Sequence, residues 1–278
     1  MSVPSNATGG AAVAKSRLRR LAFAGTALML AALGAAPAGA QDAEIARGRA
    51  EQRTTFTNAE ITNGFFKIAF GAEFNLAGRI DRIRKFDGPV RVYADSLGKP
   101  DRRAQLAAIV ADIRAHIEHL DIAMAPSRRT ANLIVRLVHN RDIGRTIRAF
   151  VGRDQADRIQ RSLDPQCLSG FRKDAAYRIE HAQVILPVDA GDFVFYDCAY
   201  EELLQALGPI NDDPSVPWTM FNDNVRLGYF GIYDQFLLNI LYHRGIRPGM
   251  TVAEVRTVLP AVLPAVRAFV AKKNGIPP

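Results

Sequence analysis

The sequence predicts an α/β domain with a mixed sheet. Runs of β-branched and aromatic residues alternate with longer segments of helical periodicity, and no internal repeat or linker separates them. Of the 278 residues, 48% are hydrophobic and 23% are charged, which suits a globular domain with a sizeable core rather than a disordered chain. We therefore expect a single domain over residues 64–278.

The first forty residues have the pattern of a secretory signal peptide. Four basic residues precede an apolar run over 21–33, and Ala38-Gly39-Ala40 supplies the small residues of a cleavage site. The apolar run is shorter than the roughly 20 residues needed to span a bilayer. We expect cleavage near Ala40, a periplasmic or secreted mature protein, and at most peripheral membrane contact.

The elements of the mature chain follow from periodicity and turn residues. Residues 41–63 are polar and predict a flexible lead-in or a short helix. After it we expect strands over 65–70, 90–93, 132–138 and 182–187, a long helix over 102–124, a helical insertion over 143–163, and helices over 197–208, 234–242 and from Val252, the last interrupted by Pro260 and Pro264.

The stretch 197–212 carries the most distinctive chemistry. At 100° per residue, Glu201, Glu202 and Gln205 share one polar arc of a helix, and the opposite arc is apolar. Asp197 is the expected N-cap, and Gly208 is the expected C-terminal stop. A zinc-peptidase helix has this layout, with two ligands at i and i+4, a general base at i+1 and a glycine three residues later.

Position for position, the segment resembles the metzincin and matrixin zinc peptidases with the ligands exchanged. Glu201, Gln205 and Asn211 stand at the three ligand positions, and Glu202 keeps the position of the general base. Trp218 to Phe221, with Met220, is similar to their Met-turn. The resemblance implies a zincin-like mixed sheet with a long backing helix, an active-site-type helix and a C-terminal helix.

Three longer segments are similar to domain-of-unknown-function family 2927, a family of secreted bacterial proteins. They are Phe65 to Gly71, Cys198 to Gly208 and Leu241 to Met250. This resemblance covers most of the mature chain. It implies membership of this family, but the family has no established activity from which a function could be inferred.

The exchanged ligands argue against zinc. Gln205 and Asn211 offer only carbonyl oxygens, which are weak zinc donors, so we expect no bound metal and no cofactor. Without an ion to acidify water, Glu202 has no nucleophile to activate and is catalytic only if the protein is an active enzyme. Two alternatives stay open: a Ca²⁺-type set of oxygen donors that includes Asp212 and Asp213, or an imidazole from His116 or His119.

Cys167 and Cys198 are the two cysteines of the chain. In an oxidising compartment such a pair usually forms a structural disulfide, and no C-x-x-C spacing supports a redox or metal-thiolate role.

The net charge of the mature chain limits the kinds of binding partner that we expect. Removal of residues 1–40 leaves 32 basic and 28 acidic residues, a net charge of +4, and the arginines are interleaved with Asp. An exported chain without a nucleic-acid motif predicts no nucleic-acid partner. Anionic envelope polymers or lipid head groups are the natural partners of the remaining charge.

Three functions are compatible with these observations. The first is an exported, non-catalytic peptidase-like domain that binds an envelope peptide, glycan or protein. The second is a metal-dependent hydrolase with oxygen ligands and Glu202 as base. The third is a purely structural envelope module.

Overall fold

The computed structural model of the chain describes residues 38–70, 81–162, 166–209 and 211–277. All of these residues lie within one compact unit, Ala36–Pro278. Residues 1–37 of the predicted signal peptide lie outside the described residues.

A five-stranded mixed sheet lies at the centre of the described chain and confirms the predicted α/β class. Its strands are β1 (Val90–Ser96), β2 (Ile122–Met124), β3 (Leu133–Val138), β4 (Leu168–Lys173) and β5 (Ile179–Pro187). Their order is β2-β1-β3-β5-β4, with β4 antiparallel at one edge and all other pairs parallel. Val135 and Val184 pair across the middle and are fully buried, as expected where helices cover a parallel sheet.

Eight α-helices are described around this sheet. They are α1 (Ala38–Glu51), α2 (Asn58–Ala69), α3 (Arg103–His116), α4 (Ile143–Val151), α5 (Arg153–Ser162), α6 (Asp192–Ala206), α7 (Ile232–Tyr242) and α8 (Val252–Asn274). Helix α6 contacts β4 and β5, while α7 contacts α2 and α8. Every residue of α7 is buried, so this helix lies inside the core rather than on its surface.

The predicted strand over 65–70 is wrong, because these residues continue helix α2. Thr57 and Glu60 form a capping box that begins the helix, and Ile61, Phe65 and Ile68 then recur at helical spacing toward the core. The aromatic composition suggested a strand, but the cap and the 3.6-residue period decide the conformation.

Residues 41–63, for which a flexible lead-in or a short helix is expected, are largely helical. They contain most of α1 and the first half of α2. Between these helices Phe56 is buried, with its ring centroid 4.8 Å from that of Tyr233 and 5.7 Å from that of Trp218. The core therefore takes in side chains before residue 64.

The long helix expected over 102–124 ends at His116, and Ile122–Met124 is strand β2. The end is capped from α7. Asn239 Nδ2 donates to the His116 carbonyl at 2.7 Å, and Asn239 Oδ1 accepts from the Glu118 N–H at 2.9 Å. This tertiary cap satisfies backbone groups that the helix leaves free, and no local signal in the sequence indicates it.

Other boundaries differ in smaller ways. The strands expected near 90–93, 132–138 and 182–187 and the helices within 143–163 are confirmed, whereas β4 was not predicted. Helix α8 runs unbroken through Pro260 and Pro264, because both prolines face solvent while the opposite face stays packed in the core. That burial offsets the two lost backbone hydrogen bonds.

Candidate functional site

The disulfide between Cys167 and Cys198 forms as expected and fastens α6 to the edge strand of the sheet. The two Cα atoms are 5.9 Å apart. Cys167 directly precedes β4, and Cys198 lies near the middle of α6, which begins at Asp192 rather than at the expected N-cap Asp197. The bond thereby brings the start of β4 beside the polar residues of α6.

Asp197 instead has a tertiary role on the side of α6. One carboxylate oxygen accepts from the Leu227 N–H at 2.9 Å, and the other accepts from Arg226 Nε at 3.0 Å. The residue therefore anchors the segment that leads into α7.

Gln205 uses both ends of its amide inside the protein. The Ser169 hydroxyl on β4 donates to Gln205 Oε1 at 3.2 Å, and Gln205 Nε2 donates to the Asp212 carboxylate at 3.0 Å. Gln205 is buried. The residue at the second ligand position of the motif thus holds a carboxylate in place.

Three carboxylates converge beside this glutamine, and we name them the carboxylate cluster: Glu201, Asp212 and Asp223. One oxygen from each lies within 4.8 Å of the other two. Glu201 and Asp212 are partly buried, and Asp223 is exposed. Burial and the charge of Asp223 raise the pKa of Asp212 to about 7, although the hydrogen bond from Gln205 opposes the shift. All three groups are oxygen donors of the kind that hard cations bind.

Glu202 lies next to the carboxylate cluster but is only 6% exposed. Burial raises its pKa to about 8, the hydroxyl of Ser169 lowers it, and the charges of Asp212 and Asp223 raise it further. Its Oε2 atom is buried and has no hydrogen-bond partner among the described residues. Burial in this setting favours the neutral form of the carboxyl.

Asn211 does not provide the third member of the cluster. Its Nδ2 donates to the Lys67 carbonyl on α2 at 2.8 Å, which turns the amide toward that helix. The following residue, Asp212, reaches Gln205 instead. Asp212, and not Asn211, is therefore the residue of this turn that contacts Gln205. Asp223 was missed altogether, because nothing in its local sequence distinguishes it from a surface aspartate.

The segment that contains Met220 is hydrogen-bonded to Asp234 on α7. Met220 is buried, its N–H donates to Asp234 Oδ2 at 3.2 Å, and the Thr219 hydroxyl donates to the same carboxyl. Burial raises the pKa of Asp234 to about 7 against these two hydrogen bonds. The sequence placed Asp234 at the start of a helix but did not show that it binds this turn.

Neither candidate histidine joins the carboxylate cluster among the described residues. His116 Nδ1 lies 3.1 Å from Asp112, whose hydrogen bond raises the pKa of the imidazole. The His119 ring faces that of His243, with 5.8 Å between centroids. The expectation of a replacement imidazole ligand therefore finds no support in their placement.

A second feature is a cavity of about 780 Å³, here named the basic pocket. Its basic residues are Lys85, Arg114, His119, Arg244 and Arg247. Three acidic side chains share the lining, and one of them, Asp121, is paired with Arg91 at 3.0 Å. Within the described part of the chain, the three lining arginines make no ion pair with a carboxylate.

Lys85 closes one side of the basic pocket as a buried cation. Its Nζ donates to the Leu241 carbonyl at 2.9 Å and lies 5.4 Å from the Tyr242 ring centroid. Burial lowers the pKa of this ammonium to about 8, although the charge of Asp87 opposes the shift.

Comparison with known families decides where the chain belongs. Residues 58–261 match the family model described as "Protein of unknown function (DUF2927)", which covers all five strands and the entire carboxylate cluster. The chain belongs to this family. The match to DUF2927 begins at Asn58, the first residue of α2.

The comparisons found no matching curated protein and no matching solved structure. Within the described part of this DUF2927 protein, no helix has both the length and the apolar character needed to cross a membrane.

Proposed function

We propose that this DUF2927 protein is exported, that its domain is zincin-like but has no peptidase activity, and that it binds an anionic envelope ligand. The observation that carries the proposal is the basic pocket, in which three arginines make no ion pair with a carboxylate among the described residues. Guanidinium groups bind phosphate and carboxylate through paired hydrogen bonds, so a polymer or lipid that carries such groups fits this lining.

The architecture supports the zincin-like part of the proposal. A mixed sheet ends in the antiparallel strand β4, and α6 lies against β4 with its polar residues beside Ser169. Gly208 ends α6, and the chain returns to the helix at Asp212. This order agrees with the active-site helix and glycine turn that the sequence resemblance implies.

The side chains of α6 support the absence of peptidase activity. Both ends of the Gln205 amide are hydrogen-bonded, to Ser169 and to Asp212. Glu202 is buried and its pKa is raised. A general base must be deprotonated and within reach of a water molecule that a metal has acidified. Burial and the raised pKa of Glu202 oppose its deprotonation, so this carboxyl meets the first requirement poorly.

The binding part is tested with purified mature protein and two anionic probes. We expect either soluble polyphosphate or vesicles with anionic phospholipid head groups to bind, and the successful probe identifies a free polymer or a lipid as the source. The variant Arg244→Gln/Arg247→Gln should lose at least about tenfold in affinity, since two charged hydrogen-bond donors disappear.

Arg129→Gln/Arg141→Gln is the matched control, because it removes the same charge from two exposed positions outside the pocket. The control should retain its affinity. Equal losses in the two double variants would show a nonspecific charge effect, and no binding of either probe would overturn the proposal.

A metal-dependent hydrolase is the second candidate, and the carboxylate cluster favours it. Peptide hydrolysis is assayed with Zn²⁺, Mn²⁺ or Ca²⁺ added, in the natural chain and in Glu202→Ala. We expect no turnover in either. Activity that disappears in Glu202→Ala would favour the hydrolase and reject the non-catalytic assignment.

A further inference from the structure

We propose that Glu201, Asp212 and Asp223 bind one hard divalent cation of the calcium type. This proposal does not rest on the anionic ligand of the basic pocket, since the two features share no lining residue. Nor does it require catalysis. It assigns a ligand to the carboxylate cluster alone.

The spacing of the cluster suits a large cation. Calcium is coordinated at about 2.3–2.6 Å, so two of its oxygen ligands can lie up to about 5 Å apart. The three carboxylate oxygens lie within 4.8 Å of one another.

The donor chemistry favours a hard cation. Each member of the cluster contributes a carboxylate, and the neighbouring Gln205 is held by Ser169 and Asp212. Hard oxygen donors favour Ca²⁺, Mn²⁺ or Mg²⁺ over the softer Zn²⁺, which takes imidazole and thiolate readily. Flexible coordination and a high ligand number are tolerated best by calcium, which also accepts water where protein ligands are lacking.

Glu202 provides an independent indication that a ligand is missing here. It follows Glu201 on α6, it is 6% exposed, and its Oε2 has no partner among the described residues. Ser169 binds both Glu202 and Gln205, and Gln205 binds Asp212, so hydrogen bonds connect Glu202 to one member of the cluster. A buried polar atom without a partner is costly, and a cation or a water bound to that cation would supply one.

The site is already organised before an ion arrives. Gln205 orients Asp212, and the Cys167–Cys198 disulfide holds β4 against α6, so Ser169 stays beside Gln205. Outer hydrogen bonds of this kind orient metal ligands in known sites. Asp212 and Asp223 lie in the segment between α6 and α7, so a bound ion would join that segment to α6.

The test begins with purified mature protein from which metal ions have been removed with a chelator. Ca²⁺ is then titrated into it, and binding is measured by isothermal titration calorimetry. We expect one Ca²⁺ per chain and a rise in melting temperature with added Ca²⁺. Asp223→Asn should weaken binding at least about tenfold, the lower end of the loss found when a supporting group of a metal site is removed. Asp223 is exposed, so this variant should fold, and circular dichroism checks that it does.

Asp154→Asn is the control, because Asp154 is an exposed aspartate on α5 outside the cluster. It should bind Ca²⁺ as the natural chain does. No Ca²⁺ binding by the folded natural chain, or equal affinity in Asp223→Asn and the natural chain, would overturn the site. Tighter binding of Zn²⁺ than of Ca²⁺ would overturn the calcium-type assignment.

The two proposals fail separately. Asp223→Asn should leave binding of the anionic probe unchanged, and Arg244→Gln/Arg247→Gln should leave the Ca²⁺ titration unchanged. Loss of both ligands in either variant would mean that the two features are coupled, which contradicts the independence stated above.

Discussion

Gln205 donates from Nε2 to the Asp212 carboxylate at 3.0 Å, across the turn that ends α6. The same amide accepts from the Ser169 hydroxyl, so three segments of the chain meet at one buried side chain. The predicted resemblance to zinc peptidases places an imidazole ligand at this position, whereas the hydrogen bonds of Gln205 are directed within the protein. Its role in this structure is to position a carboxylate.

Replacement of Gln205 by Leu should destabilise the protein. The change keeps much of the volume but leaves the Ser169 hydroxyl without its Gln205 acceptor and Asp212 without its amide donor. We expect a loss of about 1–3 kcal/mol in the free energy of unfolding. Urea denaturation measures it, with Gln155→Leu on α5 as control. A change smaller than that of the control would contradict the assigned role.

The disulfide should contribute strongly to stability. Cys167 and Cys198 are separated by 31 residues, and closure of such a loop restricts the unfolded chain by about 3–4 kcal/mol. We expect Cys167→Ser/Cys198→Ser to unfold at correspondingly lower urea concentration. Addition of a reductant should lower the midpoint of the natural chain but not that of the double variant. Equal midpoints without reductant would show that the bond adds no stability.

Gly208 should not tolerate a side chain. Its φ of +141° is a conformation that L-residues rarely adopt, and a Cβ there would lie 2.2 Å from the Arg84 carbonyl oxygen. Gly208→Ala should therefore prevent folding or lower stability by several kcal/mol. Gly88→Ala is the control, because a Cβ at that position meets nothing within 4 Å. Similar expression and melting temperature of the two variants would refute the prediction.

Lys85 should make stability rise with pH above about 8. Burial lowers its pKa to about 8 in the folded protein, below the ordinary value of 10.5. Between these values the unfolded chain binds more protons than the folded chain, so the free energy of unfolding increases with pH. Below pH 8 both states are protonated, and the full cost of the buried charge, on the order of 3 kcal/mol, opposes folding.

The measurement compares urea unfolding of the natural chain with that of Lys85→Met at pH 7 to 9.5. The difference in stability between the two proteins should shift in favour of the natural chain as pH rises. Lys67→Met, at a more exposed lysine on α2, is the control for loss of a lysine side chain. A constant difference across this range would mean that Lys85 titrates normally.

The helices and strands were predictable where the local pattern and the buried face agree. Strands β1, β3 and β5 are β-branched runs that are buried in the sheet, and α7 begins two residues from its expected start. Prediction failed where a distant residue decides the boundary. Asn239 ends α3 early, and no window of sequence around His116 contains that information.

The candidate site shows the same division. The polar face of α6, with Glu201, Glu202 and Gln205, follows from helical periodicity, and the disulfide follows from the cysteine count. The inclusion of Asp212 instead of Asn211 depends on which side chain the turn after Gly208 directs toward Gln205. Asp223 reaches Glu201 only because the chain between α6 and α7 folds back.

From its sequence alone, this protein was assigned an α/β class, a polar helix face without strong zinc ligands, a disulfide and a predicted export signal. The tertiary structure alone decided that three carboxylates meet, that the Gln205 amide is hydrogen-bonded within the protein, and that arginines far apart in the chain line one pocket. The physical reason is the separation along the chain over which each kind of interaction acts. Periodicity and caps act over a few residues, whereas charges and hydrogen bonds act between any groups that folding brings within a few ångströms.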